Sequence, residues 1–284
     1  MNDKAKTILK TKLIEDDVLR LKSSSKINLG LWVKEKRSDG YHEIETIFFE
    51  NDNLSDDVEI KFQESKEPSV NVSFLQKKLN DFIPPETNLA YKSANLFFDR
   101  MKATGSCNIK INKQIPLEAG LGGGSSNAAC VLKGLNQIFN FPLSEDELLN
   151  LAGELGSDVP FFILGGTCLA KGRGEDLLRI ENNLKLNVTV LKPENISIST
   201  KWAYNQLDSR EFLYDRKSQI DNLIFALKKN DCDLLFRNIF NDFEKVIFSC
   251  HPELIKERKK LLDKGYSAVS LCGSGSALFG VSGK

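Results

Sequence analysis

The sequence predicts an α+β fold made of two domains. Strand-like alternation and helical spacing of apolar residues follow one another irregularly, without the regular strand–helix repeat of a doubly wound sheet. The 284 residues, 41% of them hydrophobic, are enough for two cores. Turn-forming residues at 165–166 and 171–175 mark a junction. We therefore expect an N-terminal domain at 1–165 and a C-terminal domain at 166–284.

Residue periodicity places the elements in order. Residues 26–33 alternate as a strand does, and the turn composition of 37–40 predicts a hairpin with the next strand. Helices are indicated by apolar residues at helical spacing and, at Ser144, by a capping serine followed by acids. The predicted strands are 26–33, 41–49, 58–62, 70–74, 106–112 and 186–191. The predicted helices are 89–101, 127–139, one starting at 144 and several within 200–264.

Composition excludes several classes of protein. Thirty-nine basic residues balance 39 acidic ones, which argues against nucleic acid or an anionic membrane as a partner. Six widely spaced cysteines and two histidines form no metal-binding pattern, and they suggest small core residues in a reducing cytoplasm. The sequence has no apolar stretch of the ~20 residues that a membrane span needs. We expect a cytoplasmic protein, a monomer or weak homodimer, with a small-molecule substrate.

The segment 116–129 carries the clearest chemical signal. It places four glycines and two serines directly before a helix-compatible stretch. Glycines let successive N–H groups converge on one anion, and the helix N-terminus adds partial positive charge. The spacing fits neither the P-loop nor the dinucleotide-binding fingerprint. A phosphate-bearing ligand is indicated, the alternative being a plain surface turn.

Several segments resemble one superfamily. Residues 25–29, 116–129 and 272–276, in this order, resemble the GHMP kinase superfamily of small-molecule kinases. Within it, Asp-Gly-Tyr-His-Glu at 39–43 and Gly-Ser-Asp-Val-Pro at 156–160 are similar to the branch that acts on 4-diphosphocytidyl-2-C-methyl-D-erythritol (CDP-methylerythritol) in the non-mevalonate (MEP) isoprenoid pathway.

The resemblance implies a fold and a reaction. The expected N-terminal domain is like domain 2 of ribosomal protein S5, and the expected C-terminal domain is ferredoxin-like and shortened, since the sequence stops nine residues after Gly275. The implied reaction transfers the γ-phosphoryl group of ATP, with Mg²⁺, to the 2-hydroxyl of the methylerythritol unit. Asp158 matches the catalytic base, and Lys26 matches the lysine that keeps this base ionised and stabilises the transferring group. Spacing alone would favour a turn or cap residue for Asp158 and a solvated strand residue for Lys26.

The resemblance also implies binding residues. For the substrate, it points to Asn28 beside Lys26, to Tyr41 stacking on cytosine, to His42 at the polar edge of the base, and to Tyr204 as a second stacking ring, with Trp202 as the alternative. For ATP, it points to Asn88, Lys113, Pro116, Gly120, Leu121, Gly122, Gly123, Gly124, Ser125, Ser126, Gly273 and Gly275. Lys113 could equally be an exposed cation, and the turn at 273–275 could be only a turn. No protein group is assigned as a metal ligand, although Ser125 or Ser126 is expected near Mg²⁺.

Three other functions fit less of the sequence. Another kinase of the superfamily would share the glycine segment but would have no evident use for Tyr41 and His42. A ligand-binding sensor would not need both Lys26 and Asp158, and an RNA-binding module would be expected to carry excess positive charge.

Overall fold

The computed structural model describes residues 18–208 and 215–283. The chain forms two compact units. Unit 1 contains residues 18–24, Ser55–Ile115 and Gly123–Leu164, and unit 2 contains Ser25–Leu54, Pro116–Gly122 and the described residues from Gly165 onward. The last crossing between the units, from Leu164 to Gly165, lies next to the expected junction. The domain boundaries at 1–165 and 166–284 stay a prediction.

Strands and helices are mixed along the chain, which confirms the α+β class. The strands are β1 Val18–Lys36, β2 His42–Gln63, β3 Ser69–Phe74, β4 Ser106–Asn112, β5 Thr167–Lys171, β6 Asp176–Arg179, β7 Leu186–Leu191, β8 Phe240–Asn241, β9 Ala268–Leu271 and β10 Leu278–Gly283. The helices are α1 Lys77–Phe82, α2 Leu89–Met101, α3 Gly123–Ile138, α4 Glu145–Leu155, α5 Val159–Leu164, α6 Thr200–Asp208, α7 Lys217–Lys229, α8 Cys232–Asn238, α9 Phe243–Cys250 and α10 Glu253–Asp263. A 3₁₀ turn covers Pro85–Thr87.

Two of the predicted strands, 41–49 and 58–62, are in fact a single strand, β2. The polar stretch between them was not part of either predicted strand. It stays in the strand because its buried polar groups find partners: Asn51 Nδ2 donates to Ser25 Oγ at 3.2 Å, and the carboxylate of Asp56 accepts several hydrogen bonds. Helix α3 likewise begins at Gly123, four residues before the predicted start at Asn127, so two glycines of the phosphate segment are helical.

The strands form two sheets. In the larger sheet the order is β3-β4-β2-β1-β8, with β5 beside β2 and β6 beside β5. Within unit 1, β2 pairs antiparallel with β4, and β3 pairs parallel with β4. Within unit 2, β5 pairs antiparallel with β2, and the short β8 pairs parallel with β1 through Gly30 and Phe240. The smaller sheet, also in unit 2, is antiparallel in the order β7-β10-β9.

Each unit has its own apolar core. In unit 1, α3 lies directly on β2, because a Cβ added to Gly134 would come within 2.5 Å of Ile60 Cδ1. The capping serine predicted at 144 is confirmed, since Ser144 Oγ accepts from the Glu147 N–H at 3.3 Å. Glu147 Oε2 accepts from the Ser144 N–H at 2.9 Å and completes a capping box. In unit 2, the buried core includes Leu31, Val33, Phe243, Ile247, Leu254, Val269, Leu271 and Leu278.

The cysteines follow the expectation in part. The structure buries Cys107, Cys130, Cys168 and Cys272. Burial raises the pKa of the Cys168 thiol to about 11 and the pKa of the other three thiols to about 12. Cys250 is exposed and Cys232 is half-buried, so these two are not core residues. Within the described ranges, every helix is too short or too polar to cross a membrane.

Two glycine turns of unit 2 lie against each other. Gly120 has a φ of +73°, and a Cβ at this position would lie 1.8 Å from the carbonyl oxygen of Cys272. On the other side of the contact, a Cβ on Gly273, whose φ is +54°, would lie 3.2 Å from the Gly120 oxygen. Side chains are therefore excluded where the turn at 120–122 meets the turn at 273–275.

We expect Gly120→Ala to destabilise the protein strongly. The left-handed backbone costs a non-glycine residue about 1–3 kcal/mol, and the clash with the Cys272 carbonyl adds to this. Gly153→Ala is the matched control, because Gly153 lies in the exposed interior of α4 with no atom within 4 Å of an added Cβ. Urea unfolding should show a lower midpoint for Gly120→Ala and an unchanged or higher one for Gly153→Ala. A wild-type midpoint for Gly120→Ala would contradict the close contact.

Candidate active site

Lys26 is buried in the middle of β1. Lys26 is only 5% exposed, so it is not the solvated strand residue that spacing alone favoured. Lys26 Nζ donates to Asn28 Oδ1 at 3.0 Å and lies 5.0 Å from the centre of the Phe48 ring. The Lys26 N–H donates to the Leu121 carbonyl at 3.0 Å. The structure thus brings the predicted lysine and Asn28 together with Leu121 of the glycine segment within unit 2.

Asn28 continues this hydrogen-bonded chain across the sheet. Its Nδ2 donates to Thr46 Oγ1 at 2.8 Å, and Thr46 Oγ1 donates to the Gly30 carbonyl at 2.6 Å. Both Asn28 and Thr46 are buried. Because the amide is bonded at both ends, its oxygen is fixed toward Lys26. Sequence reasoning missed Thr46, since a threonine in a predicted strand has no distinguishing signal.

Asp158 lies in unit 1, immediately before α5. It is half-buried, and the turn around it places the Val159 N–H on the Gly156 carbonyl at 3.2 Å. The position combines the turn that its sequence predicted with partial access to solvent. Its role as the catalytic base, and its proximity to Lys26, stay predictions.

His42 and Tyr204 come together in unit 2. Their rings stack with centroids 4.9 Å apart and an interplanar angle of 21°. His42 Nε2 is 2.6 Å from Asp208 Oδ1, and Lys36 Nζ donates to Asp208 Oδ2 at 2.6 Å. Burial alone would raise the pKa of Asp208, but the hydrogen bonds and charges of Lys36 and His42 outweigh this effect and lower the pKa. Asp208 was missed because it lies far from His42 in sequence.

The other aromatic candidates are placed differently. Tyr41 is 57% exposed, and the Arg173 guanidinium lies 5.1 Å from the centre of its ring. Trp202, the alternative to Tyr204, packs edge-on against His251 with ring centroids 5.9 Å apart. Of these two α6 residues, therefore, it is Tyr204 that lies beside His42, while Tyr41 presents a ring to solvent.

The start of α3 presents the features of an anion site. Gly122 has a φ of +70° and leads from the turn into the helix. At the helix start, Gly124 is exposed and Ser125 is half-buried. Ser126 is buried, and its Oγ lies 2.7 Å from Ser23 Oγ. Ser125 therefore offers the more accessible hydroxyl at a helix N-terminus that favours anions. Pro116, at the other end of the segment, is half-buried.

Asn88 and Lys113 are both occupied within unit 1. Asn88 caps α2, with its side-chain oxygen accepting the Ala90 N–H at 2.9 Å. The Lys113 side chain is 6% exposed and forms an ion pair with the fully buried Asp56. Lys113 Nζ also donates to Asn127 Oδ1 at 3.2 Å. Lys113 is thus a buried cation, and the exposed alternative is wrong.

The second glycine turn is held from β8. Asn241 Nδ2 donates to the carbonyls of Leu271 and Gly273 at 3.0 and 2.8 Å. Gly275 has a φ of +89°, as a tight turn requires. Asn241 is buried and was missed, because its sequence neighbourhood gives no indication of the distant turn. This turn contacts Gly120, so the structure brings the two predicted glycine segments together within unit 2.

Comparisons with known proteins identify the family. The family model of the GHMP kinases N terminal domain matches residues 88–166, and that of the GHMP kinases C terminal domain matches 223–284. The chain is 39% identical, over 93% of its length and 87% of the relative, to the 4-diphosphocytidyl-2-C-methyl-D-erythritol kinase of Alkaliphilus metalliredigens. It is 40% identical, over 93% of the chain and 88% of the relative, to the protein of the same name from Caldanaerobacter subterraneus.

Solved structures give the same result. A crystal structure of 4-(cytidine 5'-diphospho)-2C-methyl-D-erythritol kinase superposes with a TM-score of 0.74 at 30% identity, covering 93% of this chain and 90% of that one. Sequence and structure thus agree over nearly the whole chain. The chain belongs to the 4-diphosphocytidyl-2-C-methyl-D-erythritol kinase family of the GHMP kinase superfamily.

Proposed function

We propose that this protein transfers the γ-phosphoryl group of ATP to the 2-hydroxyl of CDP-methylerythritol, a step of the non-mevalonate (MEP) pathway. The observation that carries the proposal is the 39–40% identity to two kinases named for this substrate, over 93% of the chain. The buried lysine and the glycine turns support it, because they are the groups that phosphoryl transfer needs for charge and positioning.

Lys26 and Asp158 carry the chemistry in this proposal. The alcohol oxygen bonds to the γ-phosphorus while the bond from that phosphorus to the β,γ-bridging oxygen breaks, and ADP leaves. Asp158 takes the proton of the alcohol, and Lys26 stabilises the charge on the transferring group. The burial of Lys26 supports its role, since a cation acts more strongly where water is excluded.

The base-recognition residues follow from the proposed substrate. We assign to Tyr41 the stacking on cytosine, because its ring is exposed, and to His42 the hydrogen bond to the polar edge of the base. Tyr204 is the proposed second aromatic wall, and in the described conformation it lies against His42. Asn28, bonded to Lys26, is assigned to the substrate beside the reacting groups.

ATP is assigned to the glycine segment. The N–H groups of residues 121–126 are proposed to bind its phosphates, with Asn88, Lys113 and the turn at 273–275 as further contacts. Mg²⁺ would neutralise the β- and γ-phosphate oxygens, and the Ser125 hydroxyl is more exposed than that of Ser126 and so better placed to approach the metal.

All six cysteines are unpaired, which supports a cytoplasmic location. We expect a monomer or weak homodimer.

The proposal predicts a specific substrate requirement. Purified protein with ATP and Mg²⁺ should release ADP, followed with a coupled assay, when CDP-methylerythritol is present and not when free methylerythritol phosphate replaces it. The cytidyl group is required because it supplies the binding energy at Tyr41 and His42. If neither compound causes ADP release, the proposed function is contradicted. Equal ADP release with the two compounds would contradict the assignment of Tyr41 and His42 to base recognition.

Asp158→Ala should lower the turnover number by roughly 10²- to 10⁴-fold, because the alcohol loses the group that takes its proton. The affinity for ATP should change little. Asp81→Asn is the control, since Asp81 is an exposed residue of α1. Steady-state kinetics and titration with a non-hydrolysable ATP analogue measure the two effects. Wild-type turnover in folded Asp158→Ala would remove this residue from the mechanism.

A further inference from the structure

Asp56 is a fully buried carboxylate in β2, at a position that no motif marks. Its two oxygens have separate partners, all in unit 1. Oδ1 accepts the N–H groups of Gln114 and Ile115 at 2.7 and 2.8 Å. Oδ2 accepts hydrogen bonds from the Lys113 ammonium and, at 2.8 Å, from Asn127 Nδ2. One carboxylate therefore contacts the chain on both sides of the glycine segment, because Ile115 precedes Pro116 and Asn127 lies in the first turns of α3.

The two ends of the glycine segment are adjacent at this carboxylate. A Cβ added to Gly123 would lie 3.0 Å from Ile115 Cγ2 and 3.1 Å from Lys113 Nζ. The ammonium group therefore lies against the first residue of α3. A cation at a helix N-terminus is unfavourable by itself, because the helix end already carries partial positive charge. Asp56 offsets this charge and makes the arrangement stable.

The ammonium group keeps one hydrogen for another acceptor. Lys113 Nζ has two acceptors within residues 18–208 and 215–283, Asp56 Oδ2 and Asn127 Oδ1, and an ammonium has three donors. A phosphate oxygen at the start of α3 is the acceptor that both the lysine and the helix end favour. Asn127 is fixed in turn, because its Nδ2 also donates to Ser23 Oγ at 2.9 Å.

We propose that Asp56 is a positioning residue for nucleotide binding. It acts through Lys113 and through the two ends of the glycine segment, and it makes no contact with ATP itself. The proposal rests on the proposed kinase function and extends it. It assigns separate tasks to the two oxygens: Oδ1 fixes the chain before Pro116, and Oδ2 fixes the ammonium and α3.

Asp56→Asn separates these tasks. The asparagine oxygen can keep the two backbone N–H groups, but its NH₂ group must then face the Lys113 and Asn127 donors. We expect the dissociation constant of a non-hydrolysable ATP analogue, measured by calorimetry, to rise about 10- to 100-fold, as loss of a charge-assisted hydrogen bond at the phosphate site implies. The KM for the alcohol substrate should stay within about threefold, since Asp56 acts on the nucleotide side.

The neighbouring carboxylate provides the matched control. Asp57 undergoes the same chemical change one residue away, but it accepts hydrogen bonds from the exposed Lys22 at 2.5 Å and from Gln114 Nε2 at 3.0 Å instead of from Lys113. Asp57→Asn should bind the analogue as the wild type does. A folded Asp56→Asn protein with wild-type affinity would overturn the proposal, and so would an equal loss for Asp57→Asn.

A double-mutant cycle tests whether Asp56 acts through Lys113. In a Lys113→Met background, Asp56→Asn should weaken analogue binding little further, because the group it positions is gone. Equal fold-changes in both backgrounds would overturn the proposal.

If Asp56→Asn does not fold, Asn127→Ala replaces it. This variant keeps the ion pair between Asp56 and Lys113 and removes one acceptor from Lys113. We expect a smaller loss of affinity for the analogue, and an unchanged affinity would overturn the proposal. Because the analogue is not turned over, these results are independent of the alcohol substrate.

Discussion

A glycine-rich segment can hold an anion only if its flexible backbone is kept in one conformation, and this constraint organises the contacts described above. In unit 1, the Asp56 carboxylate binds the chain on both sides of the segment. In unit 2, the segment itself lies against the Cys272 carbonyl at Gly120 and accepts the Lys26 N–H at Leu121. The glycines allow the required geometry, and the groups around them remove the freedom that glycine would otherwise have.

Each unit also contains a buried lysine. Lys26 and Lys113 are both largely withdrawn from water, although the chain as a whole has no net charge. Lys113 is bonded to Asp56 of β2 and to Asn127 of α3, and Lys26 is bonded to Asn28 of its own strand. The burial of each cation is therefore compensated in the protein without a ligand. Isolated buried cations within a protein of no net charge favour a small anionic substrate over an extended polyanion such as nucleic acid.

Local sequence patterns predicted much of the fold. The helix at 89–101 and the strand at 106–112 were predicted to the residue, because spacing, caps and turns act over short distances. The single strand β2 was not, because Asn51 and Asp56 stay in it through partners that only the folded chain supplies. The length of β2 is thus set by tertiary hydrogen bonds and not by the local sequence.

The candidate site shows the same division. Family resemblance pointed to Lys26, Asn28 and the glycine turn at 120–122, and the structure brings these together within unit 2. The roles of these residues, like those of Asp158 and Tyr41, stay predictions. Thr46, Asp56, Asp208 and Asn241 were not predicted, because each acts through a partner far away in sequence. A residue that positions another side chain carries no sequence motif, because its role depends on a partner that only the fold brings close.

Amide hydrogen exchange with and without a non-hydrolysable ATP analogue and Mg²⁺ tests the central claim most directly, namely that the backbone N–H groups of residues 121–126 hold the phosphates. The structure predicts slower exchange in a peptide spanning this segment on addition of the analogue, because those N–H groups gain acceptors. Exchange that slows elsewhere in the protein but stays unchanged in this peptide would contradict the claim.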